Sequence, residues 1–278
     1  MRRLLAEQLP ELAGLPLTPV PSTGTVNVVL RLGDDLAVRL PRVARWADSI
    51  ERELTWLPRL APALPLRVPQ PVAAGRPTDD YPLPWAVVRW LDGQQYAAER
   101  IGDERLAAAD LAAFVLALRD ALPTEGAPAT GRAPIPSLDE VTRAAVDELG
   151  GAIDQEAVLR AWERALEAPP FSGGAVWIHT DLLPPNLLVR AGRLDAVLDF
   201  GGAGVGDPAG DGIAAWSVFG PTGRPVYREA LPLDDGAWER ARGYALHQAL
   251  LIVPYYRRTH PAFAASALRT IEQVLADR

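Results

Sequence analysis

Residues 179–201, HTDLLPPNLLVRAGRLDAVLDFG, contain the most informative pattern of this 278-residue chain. His179 and Asp181 come first, Asn186 follows five positions after the aspartate, and Asp-Phe-Gly begins at Asp199, thirteen positions after the asparagine. Asp, Asn and Gly are common in turns, so any one of these elements alone would indicate little more than a loop. Their combination in this order and spacing is rare by chance, and it favours a functional interpretation.

These side chains match the requirements of phosphoryl transfer. The reaction needs a group that orients the attacking hydroxyl and ligands for a magnesium ion that bridges the phosphates of ATP. Asp181 is the candidate that accepts a hydrogen bond from the acceptor hydroxyl, whereas Asn186 and Asp199 offer the hard oxygen ligands that Mg²⁺ prefers. The segments NLLVR and RLDAVLD can form a hairpin that returns Asp199 to the side of Asn186. The stretch therefore predicts ATP and Mg²⁺ as cofactors.

The composition excludes several other kinds of site. The chain has no cysteine and only three histidines, which rules out disulfides and cysteine-based zinc sites and disfavours a multi-histidine metal centre. All 28 basic residues are arginine, so a Walker-A loop, a Schiff-base lysine and the usual kinase lysine are impossible. The net charge of −7 argues against nucleic acid and membrane surfaces as partners and is compatible with a cationic ligand.

The hydropathy pattern predicts neither a membrane helix nor a signal peptide. The longest apolar candidate, residues 106–122, is interrupted by three charged residues, and a membrane helix needs roughly 18–20 apolar residues. Near the N-terminus, Glu7 and Pro10 cut short any apolar segment. We therefore expect a cytoplasmic protein.

The first third of the chain is predicted to be rich in β-structure. Residues 26–40 alternate apolar and polar side chains around the turn Gly33-Asp34-Asp35, which is typical of a β-hairpin. WAVVRWL, residues 85–91, is expected to form a buried strand that stops at Asp92-Gly93.

A helix is predicted between the hairpin and this strand. Asp48 and Glu51 resemble a capping box at its start, and Pro58 is expected to bend or end it. The proline-rich residues 61–71 that follow are expected to be extended.

The remainder of the chain predicts mainly helices. Residues 111–122 carry an apolar helical stripe, Ser137 and Glu140 resemble the cap of a second helix, residues 154–168 form a third, and the chain is helical from Asp235 onward. A β-rich segment followed by a helix-rich remainder suggests an α+β protein with two lobes and a cleft.

Together these features resemble the aminoglycoside phosphotransferase family, small-molecule kinases with a protein-kinase-like fold. The resemblance covers essentially the whole chain and includes GTVNVVLRLGDDLAVRLPR, ERELTWLPRLAPALPLRVPQPV, VVRWLDG, the His-x-Asp-x4-Asn and Asp-Phe-Gly pair, and GDPAGD. It implies two lobes, a β-rich nucleotide-binding lobe over residues 1–91 and a helical catalytic and substrate lobe over residues 92–278. It also implies transfer of the γ-phosphoryl group of ATP to a hydroxyl of a small molecule.

The resemblance assigns nucleotide-binding roles by position. Arg39 lies where the family has the residue that holds the α- and β-phosphates, and it presents a planar fork in place of the compact ammonium of lysine. Glu53 is expected to pair with Arg39, and Glu51 is the alternative. The backbone groups of Arg89 and Leu91, in the hinge-like strand, are expected to bond adenine.

The loops around the nucleotide are less regular than in the family. Ser22 and Thr23 lie in the Ser-Thr-Gly-Thr segment at the position of the phosphate-covering loop, and are candidates for nucleotide contact. Thr180 and Pro185 stand where the family more often has glycine. These departures concern the acceptor subclass more than the catalytic oxygens.

The acceptor implied by the resemblance is a cationic, aminoglycoside-like antibiotic, so the function would be antibiotic resistance. A macrolide and an amino-alcohol metabolite are alternatives, as is a kinase-shaped nucleotide-binding protein without activity. A protein kinase is disfavoured because no Ala-Pro-Glu segment follows Asp-Phe-Gly. Aromatic and histidine side chains near the C-terminus are candidates for substrate contact through cation–π interactions. They are Trp216, Tyr244, His247, Tyr255, Tyr256 and His260.

Four further features are interpreted more conservatively. His179 is expected to be a hydrogen-bonded core residue, and Asp207, followed by proline, is expected to cap a helix. Gly204-x-Gly206-x-x-Ala209 matches a dinucleotide-binding fingerprint only formally, because no strand–loop–helix context surrounds it. Asp211 is kept as a weak candidate on the substrate side.

Overall fold

The computed structural model describes residues 1–20 and 26–277, which form two compact units. The first unit consists of Met1–Asp92 and Ala196–Gly201, and the second of Gly93–Asp195 and Gly202–Arg278. The boundary after Asp92 falls one residue beyond the expected end of the first lobe. The Asp-Phe-Gly segment was expected in the second lobe, but it belongs to the first unit.

An antiparallel sheet forms the first unit. Its strands are β1 (Leu17–Pro19), β2 (Asn27–Leu32), β3 (Leu36–Pro41), β4 (Pro71–Gly75) and β5 (Trp85–Arg89), and its helices are α1 (Arg2–Gln8) and α2 (Ala47–Leu60). The strand order is β1-β2-β3-β5-β4. β2 and β3 form the predicted hairpin, with Leu32 opposite Leu36 and Gly33 in a left-handed conformation at φ +61°. The buried strand predicted at residues 85–91 is confirmed as β5.

Alternation along the strands gives this sheet two apolar faces. Val38 belongs to the buried cluster that includes leucines of α1, whereas its neighbour Ala37 packs with Ile50 of α2. Side chains two positions apart on a strand lie on the same side. Arg39 therefore points from β3 toward α2.

The region around α2 differs from the sequence prediction. Its N-cap residue is Trp46, no side chain caps it, and Asp48 lies inside the first turn, so the predicted capping box is wrong. Asp48 still stabilises the helix because a negative charge there favours the helix dipole. The helix continues through Pro58, and a 3-10 turn at Ala61–Ala63 follows where extended chain was expected.

The second unit is mostly helical. Its helices are α3 (Glu104–Arg119), α4 (Asp139–Leu149), α5 (Gln155–Glu167), α6 (Ala214–Ser217), α7 (Gly223–Ala230), α8 (Asp235–Tyr256) and α9 (Pro261–Ala276). Its strands are β6 (Gln94–Gln95), β7 (Val176–Ile178), β8 (Leu187–Arg190) and β10 (Gly204–Gly206), and β9 (Arg193–Val197) begins in this unit and ends in the first. β6, β8 and β9 form one small sheet, and β7 pairs with β10.

The predicted helices are confirmed, but one predicted cap is wrong. Asp154 accepts a hydrogen bond from the N–H of Ala157 and so caps α5. The Ser137 hydroxyl instead donates to the carbonyl of Pro134, and α4 begins at Asp139 without a side-chain cap.

The sheet of the first unit and the helices of the second confirm the α+β class. Within residues 1–20 and 26–277, no helix combines the length and the apolar character that crossing a membrane would require.

Gly75 offers a test of the packing in the first unit. A Cβ atom at this position would lie 1.8 Å from an atom of the fully buried Trp85 indole. We expect Gly75→Ala to lower the free energy of unfolding by about 1–3 kcal/mol, because overpacking forces the indole or the backbone to move. Gly14→Ala, which meets no atom within 4 Å, is the control for denaturant unfolding. Equal stabilities of the two variants would contradict this packing.

Candidate active site

A buried ion pair joins β3 to α2 in the first unit. Arg39 donates to a carboxylate oxygen of Glu53, and the two side chains are only 11% and 4% exposed. The predicted pairing with Glu53 is therefore present, while the alternative, Glu51, is exposed to solvent. Removing either partner would leave an uncompensated buried charge. The role of Arg39 in nucleotide binding stays a prediction.

Asp199 lies close enough to this pair to affect it. Burial works against the charged form of Arg39, but the nearby carboxylates of Glu53 and Asp199 raise its pKa. Burial also raises the pKa of Glu53, and the Arg39 guanidinium opposes that effect. The backbone N–H of Phe200 donates to Glu53. The structure thus brings three of the predicted residues together within the first unit.

Two positions of the Asp-Phe-Gly segment have backbone conformations or contacts that restrict the residue type. Asp199 is left-handed, at φ +64°, a conformation that aspartate tolerates better than most residues. Gly201 approaches α2 so closely that a Cβ atom would lie 2.7 Å from the Cβ of Ser49. The glycine is therefore required by close packing rather than by its own dihedral angles.

In the second unit, both carboxylate oxygens of Asp181 accept hydrogen bonds from side-chain amides. Asn186 Nδ2 donates to Oδ2 at 2.6 Å and to the Asp181 backbone carbonyl at 3.0 Å. Gln248 Nε2, on α8, donates to Oδ1 at 2.5 Å. Arg132 donates to Gln248 Oε1 at 3.3 Å and to the carbonyl oxygen of Thr180. The site therefore joins two predicted residues to two that the sequence did not reveal.

The sequence carried no usable signal for Arg132 or Gln248. Arg132 lies in the loop of residues 123–136, where four prolines and two glycines remove any periodicity. Gln248 lies on a mostly buried helix and is 67 positions from Asp181. Only the packing of α8 near the loop of residues 179–186 brings them together.

The backbone before Asp181 is fixed by a buried carboxylate. Thr180 has a left-handed φ of +76°, which is rare for a β-branched residue. Asp211 is fully buried and accepts the N–H of Thr180 at 2.7 Å and that of His179 at 2.9 Å. The Tyr227 hydroxyl donates to the backbone carbonyl of Asp211 at 2.9 Å. The expectation that Asp211 lies on the substrate side is therefore wrong, because it positions the loop from within the core.

Two conservative interpretations are confirmed. His179 is fully buried, and its Nδ1 accepts the N–H of Asp181 at 3.2 Å, so it acts as a structural residue. Asp207 accepts the N–H of Ala209 and caps the 3-10 helix that follows. It also forms an ion pair with Arg240 at 2.7 Å.

The strand end expected to bind adenine has one donor already occupied. The N–H of Arg89 donates to the carbonyl of Gln70 at 2.8 Å. The roles of Arg89 and Leu91 in adenine binding stay predictions. Ser22 and Thr23 lie outside the described residues.

The donor set suits a magnesium ion that arrives with phosphates. Within the described part of the chain, no group of three or more His, Cys, Asp or Glu side chains could hold a metal alone. Asn186, in the second unit, turns its amide nitrogen to Asp181, which leaves its side-chain oxygen as the donor, and Asp199, in the first unit, has a carboxylate. Mg²⁺ sites of this kind use one or two protein oxygens plus phosphate oxygens and water. The chemistry of each side chain fits Mg²⁺, and their joint role in holding the ion stays a prediction.

The aromatic residues near the C-terminus do not form the single surface that was expected. His247 is buried, stacks on Trp162 and shares a hydrogen bond of 2.8 Å with Thr142. Tyr244 lies buried beneath the Arg132 guanidinium, whereas Tyr255 is 58% exposed. Tyr256 contacts both Tyr255 and His260, so this part of the predicted cluster is present, while the two residues in the core do not belong to it.

A β-rich unit with a buried arginine–glutamate pair and a helical unit with a His-x-Asp loop are features of small-molecule kinases. The chain belongs to the phosphotransferase enzyme family, because the sequence profile of that family matches residues 17–244. The recognition made from the sequence is therefore confirmed. No curated protein sequence matches the chain.

Solved structures of phosphotransferases have the same fold. The GDP and kanamycin complex of APH(2″)-IIIa has a TM-score of 0.76 at 20% identity, covering 99% of this chain and 98% of the other. The streptomycin–ATP complex of APH(2″)-IIa has a TM-score of 0.58 at 17% identity, covering 94% of each chain. The macrolide 2′-phosphotransferase MphH from Brachybacterium faecium has a TM-score of 0.61 at 23% identity, covering 98% of each. At these identities the likeness establishes the fold.

His247 should make the protein sensitive to acid. Burial, with a further contribution from Arg132, lowers its pKa to about 4, below the value of about 6.5 in an unfolded chain. The unfolded state therefore binds more protons between these values, and stability falls as the pH drops through this window. We expect a loss of up to roughly 3 kcal/mol from this residue.

The measurement is denaturant unfolding at pH 7 and pH 4.5 for the wild type and His247→Gln. The glutamine can keep a hydrogen bond to Thr142 but cannot titrate, so its stability should depend less on pH. An equal loss of stability in both proteins would contradict the assignment.

Proposed function

We propose that this phosphotransferase uses ATP and Mg²⁺ to phosphorylate a hydroxyl group of a small molecule. The observation that carries the proposal is the fixed orientation of Asp181. Its two carboxylate oxygens are held by Asn186 and Gln248, and its loop is anchored by the buried Asp211. A carboxylate held this way can accept a hydrogen bond from an acceptor hydroxyl in one defined direction.

Orientation is the main contribution that such an enzyme makes. Phosphoryl transfer passes through a loose transition state in which the protein performs little covalent chemistry, so catalysis depends on positioning and charge. Asp181 would direct a lone pair of the acceptor oxygen toward the γ-phosphorus. It would receive the hydroxyl proton as the new O–P bond forms and the bond from the γ-phosphorus to the departing ADP breaks.

The remaining predicted residues would hold the nucleotide. Arg39 would contact the α- and β-phosphates, and Glu53 would keep its guanidinium in place. Asn186 and Asp199 would hold Mg²⁺, which supplies charge neutralisation at the phosphate oxygens when bound. The Arg89 carbonyl would accept a hydrogen bond from adenine.

A cationic, aminoglycoside-like acceptor is the first candidate. Two similar structures carry kanamycin or streptomycin, and the second of these also carries ATP. The net charge of −7 favours the approach of a cation. In this case the protein would confer antibiotic resistance.

A macrolide acceptor is the second candidate. The observation that favours it is the shared fold with a macrolide 2′-phosphotransferase, MphH.

Nucleotide consumption with a panel of acceptors separates these proposals. ATP and GTP are each offered with aminoglycosides, macrolides and amino alcohols, and products are identified by their added phosphate mass. Turnover restricted to macrolides would remove the aminoglycoside-like candidate. No transfer to any acceptor, with nucleotide bound, would favour an inactive nucleotide-binding protein.

Replacing Asp181 should abolish transfer without removing nucleotide binding. We expect Asp181→Ala to lower kcat by roughly 10²–10⁴-fold, the usual contribution of a positioned acid–base group. Nucleotide affinity, measured by calorimetry, should change little. Asp110→Ala, which breaks a surface ion pair with Arg193, is the control. An Asp181→Ala enzyme that keeps its kcat would refute the assigned role.

Replacing Asn186 should affect the metal. We expect Asn186→Ala to raise the Mg²⁺ concentration for half-maximal activity by roughly tenfold or more. Loss of a residue that only hydrogen-bonds to a metal ligand already lowers metal affinity by about that factor. Asn186→Asp restores an oxygen ligand but not the N–H that reaches Asp181, so it should recover Mg²⁺ affinity better than kcat. An unchanged Mg²⁺ requirement in Asn186→Ala would count against this assignment.

A further inference from the structure

We propose that Gln248 and Arg132 are positioning residues that fix the Asp181 carboxylate for transfer. The proposal rests on the proposed function, because it assigns these residues a part in the same reaction. Both residues act through Asp181. Gln248 donates a hydrogen bond to the carboxylate directly, and Arg132 acts by holding Gln248.

Arg132 determines which way the Gln248 amide faces. An arginine side chain has only donors, so the group it meets at 3.3 Å must be the amide oxygen, Oε1. The amide nitrogen is then left to face Asp181 Oδ1, which it meets at 2.5 Å. Both hydrogen bonds are therefore donated in the same direction, from Arg132 to Gln248 and from Gln248 to Asp181. A flipped amide would place two oxygens in contact.

Arg132 also holds the residue before Asp181. It donates to the carbonyl of Thr180, whose N–H is held by Asp211, so both peptide groups of this left-handed residue are restrained. Burial lowers the pKa of Arg132, and the Asp181 carboxylate opposes this. The Tyr244 ring lies 5.1 Å from the guanidinium and supports it from α8.

A glycine-rich strand allows the loop that carries Arg132 to reach this point. A Cβ atom at Gly204 would lie 2.5 Å from the carbonyl oxygen of Pro128, and one at Gly206 would lie 2.4 Å from a side-chain atom of Thr130. Val205 between them donates to Pro128 at 2.8 Å. The glycines that formally match a dinucleotide fingerprint thus serve to admit this loop.

The titratable groups near Asp181 determine how the activity can depend on pH. Within its own unit, the charged and titratable groups that face it are Arg132 from the loop, His179 from its own segment, Asp211 from the following 3-10 helix and Tyr244 from α8. Gln248 contributes no charge of its own. Replacing it by a carboxylic acid therefore introduces a titration that the wild type lacks.

The test compares Gln248→Leu with Gln248→Glu. We expect Gln248→Leu to lower kcat by roughly 10–100-fold, the cost of a misplaced reacting group, with nucleotide KM within about twofold. Gln248→Glu can still accept from Arg132, but it can donate to Asp181 only when it is protonated. Its kcat should therefore fall as the pH rises, whereas the defect of Gln248→Leu should not vary in this way.

A matched pair elsewhere in the same unit provides the control. Arg224 donates to Oε1 of Gln273, another arginine–glutamine contact, on α7 and α9. Gln273→Leu should keep kcat once it is folded. Arg132→Lys keeps the positive charge, whereas Arg132→Met keeps only a long unbranched side chain. The lysine variant should therefore retain more activity.

Hydrogen exchange of residues 179–186 provides a readout that needs no turnover. Faster exchange in Gln248→Leu than in Gln273→Leu is expected. The inference is overturned if Gln248→Leu keeps kcat within about threefold, or if Gln248→Glu has the pH profile of Gln248→Leu. If the wild type transfers phosphate to no acceptor, the proposed function fails, while the exchange result still decides whether Gln248 fixes the loop.

Discussion

The conformation of residues 179–181 depends on one buried carboxylate. Asp211 has no exposure to water, and an isolated carboxylate in such a place would be very unfavourable. It is compensated by the backbone N–H groups of His179 and Thr180. Each hydrogen bond to a charged acceptor contributes about 1.5–3 kcal/mol, whereas the left-handed conformation of Thr180 costs about 1–2 kcal/mol. The anchor outweighs the strain, so the loop keeps a conformation that its own sequence disfavours.

The parts of the structure that could be predicted from the sequence are those determined by residues close together in the chain. Strand alternation placed the β2–β3 hairpin and β5, and the family resemblance, position by position, paired Arg39 with Glu53. The spacing of the catalytic motif placed Asp181 and Asn186 in contact. In each case neighbouring residues on one element, or two adjacent elements, contain all the necessary information.

Features set by tertiary packing were not predicted. Asp48 and Ser137 have the right spacing for helix caps, yet the chain enters both helices along other paths. Asp211 and Gln248 contact residues 179–181 only because elements distant in sequence pack beside that segment. The periodicity of the sequence carries no signal for this packing. Short motifs specify which chemistry is present, while the folded core decides which distant side chains support it.

The composition of the first unit bears on how the protein can be divided. Its first segment ends at Asp92, but Ala196–Gly201 belongs to the unit as well, so the unit is discontinuous along the chain. A polypeptide cut after the hinge strand would lose Phe200, whose N–H meets Glu53, and with it Asp199. The two halves of the gene are therefore not interchangeable modules. Recombination between relatives at that point would separate Arg39 from the Asp199 carboxylate that raises its pKa.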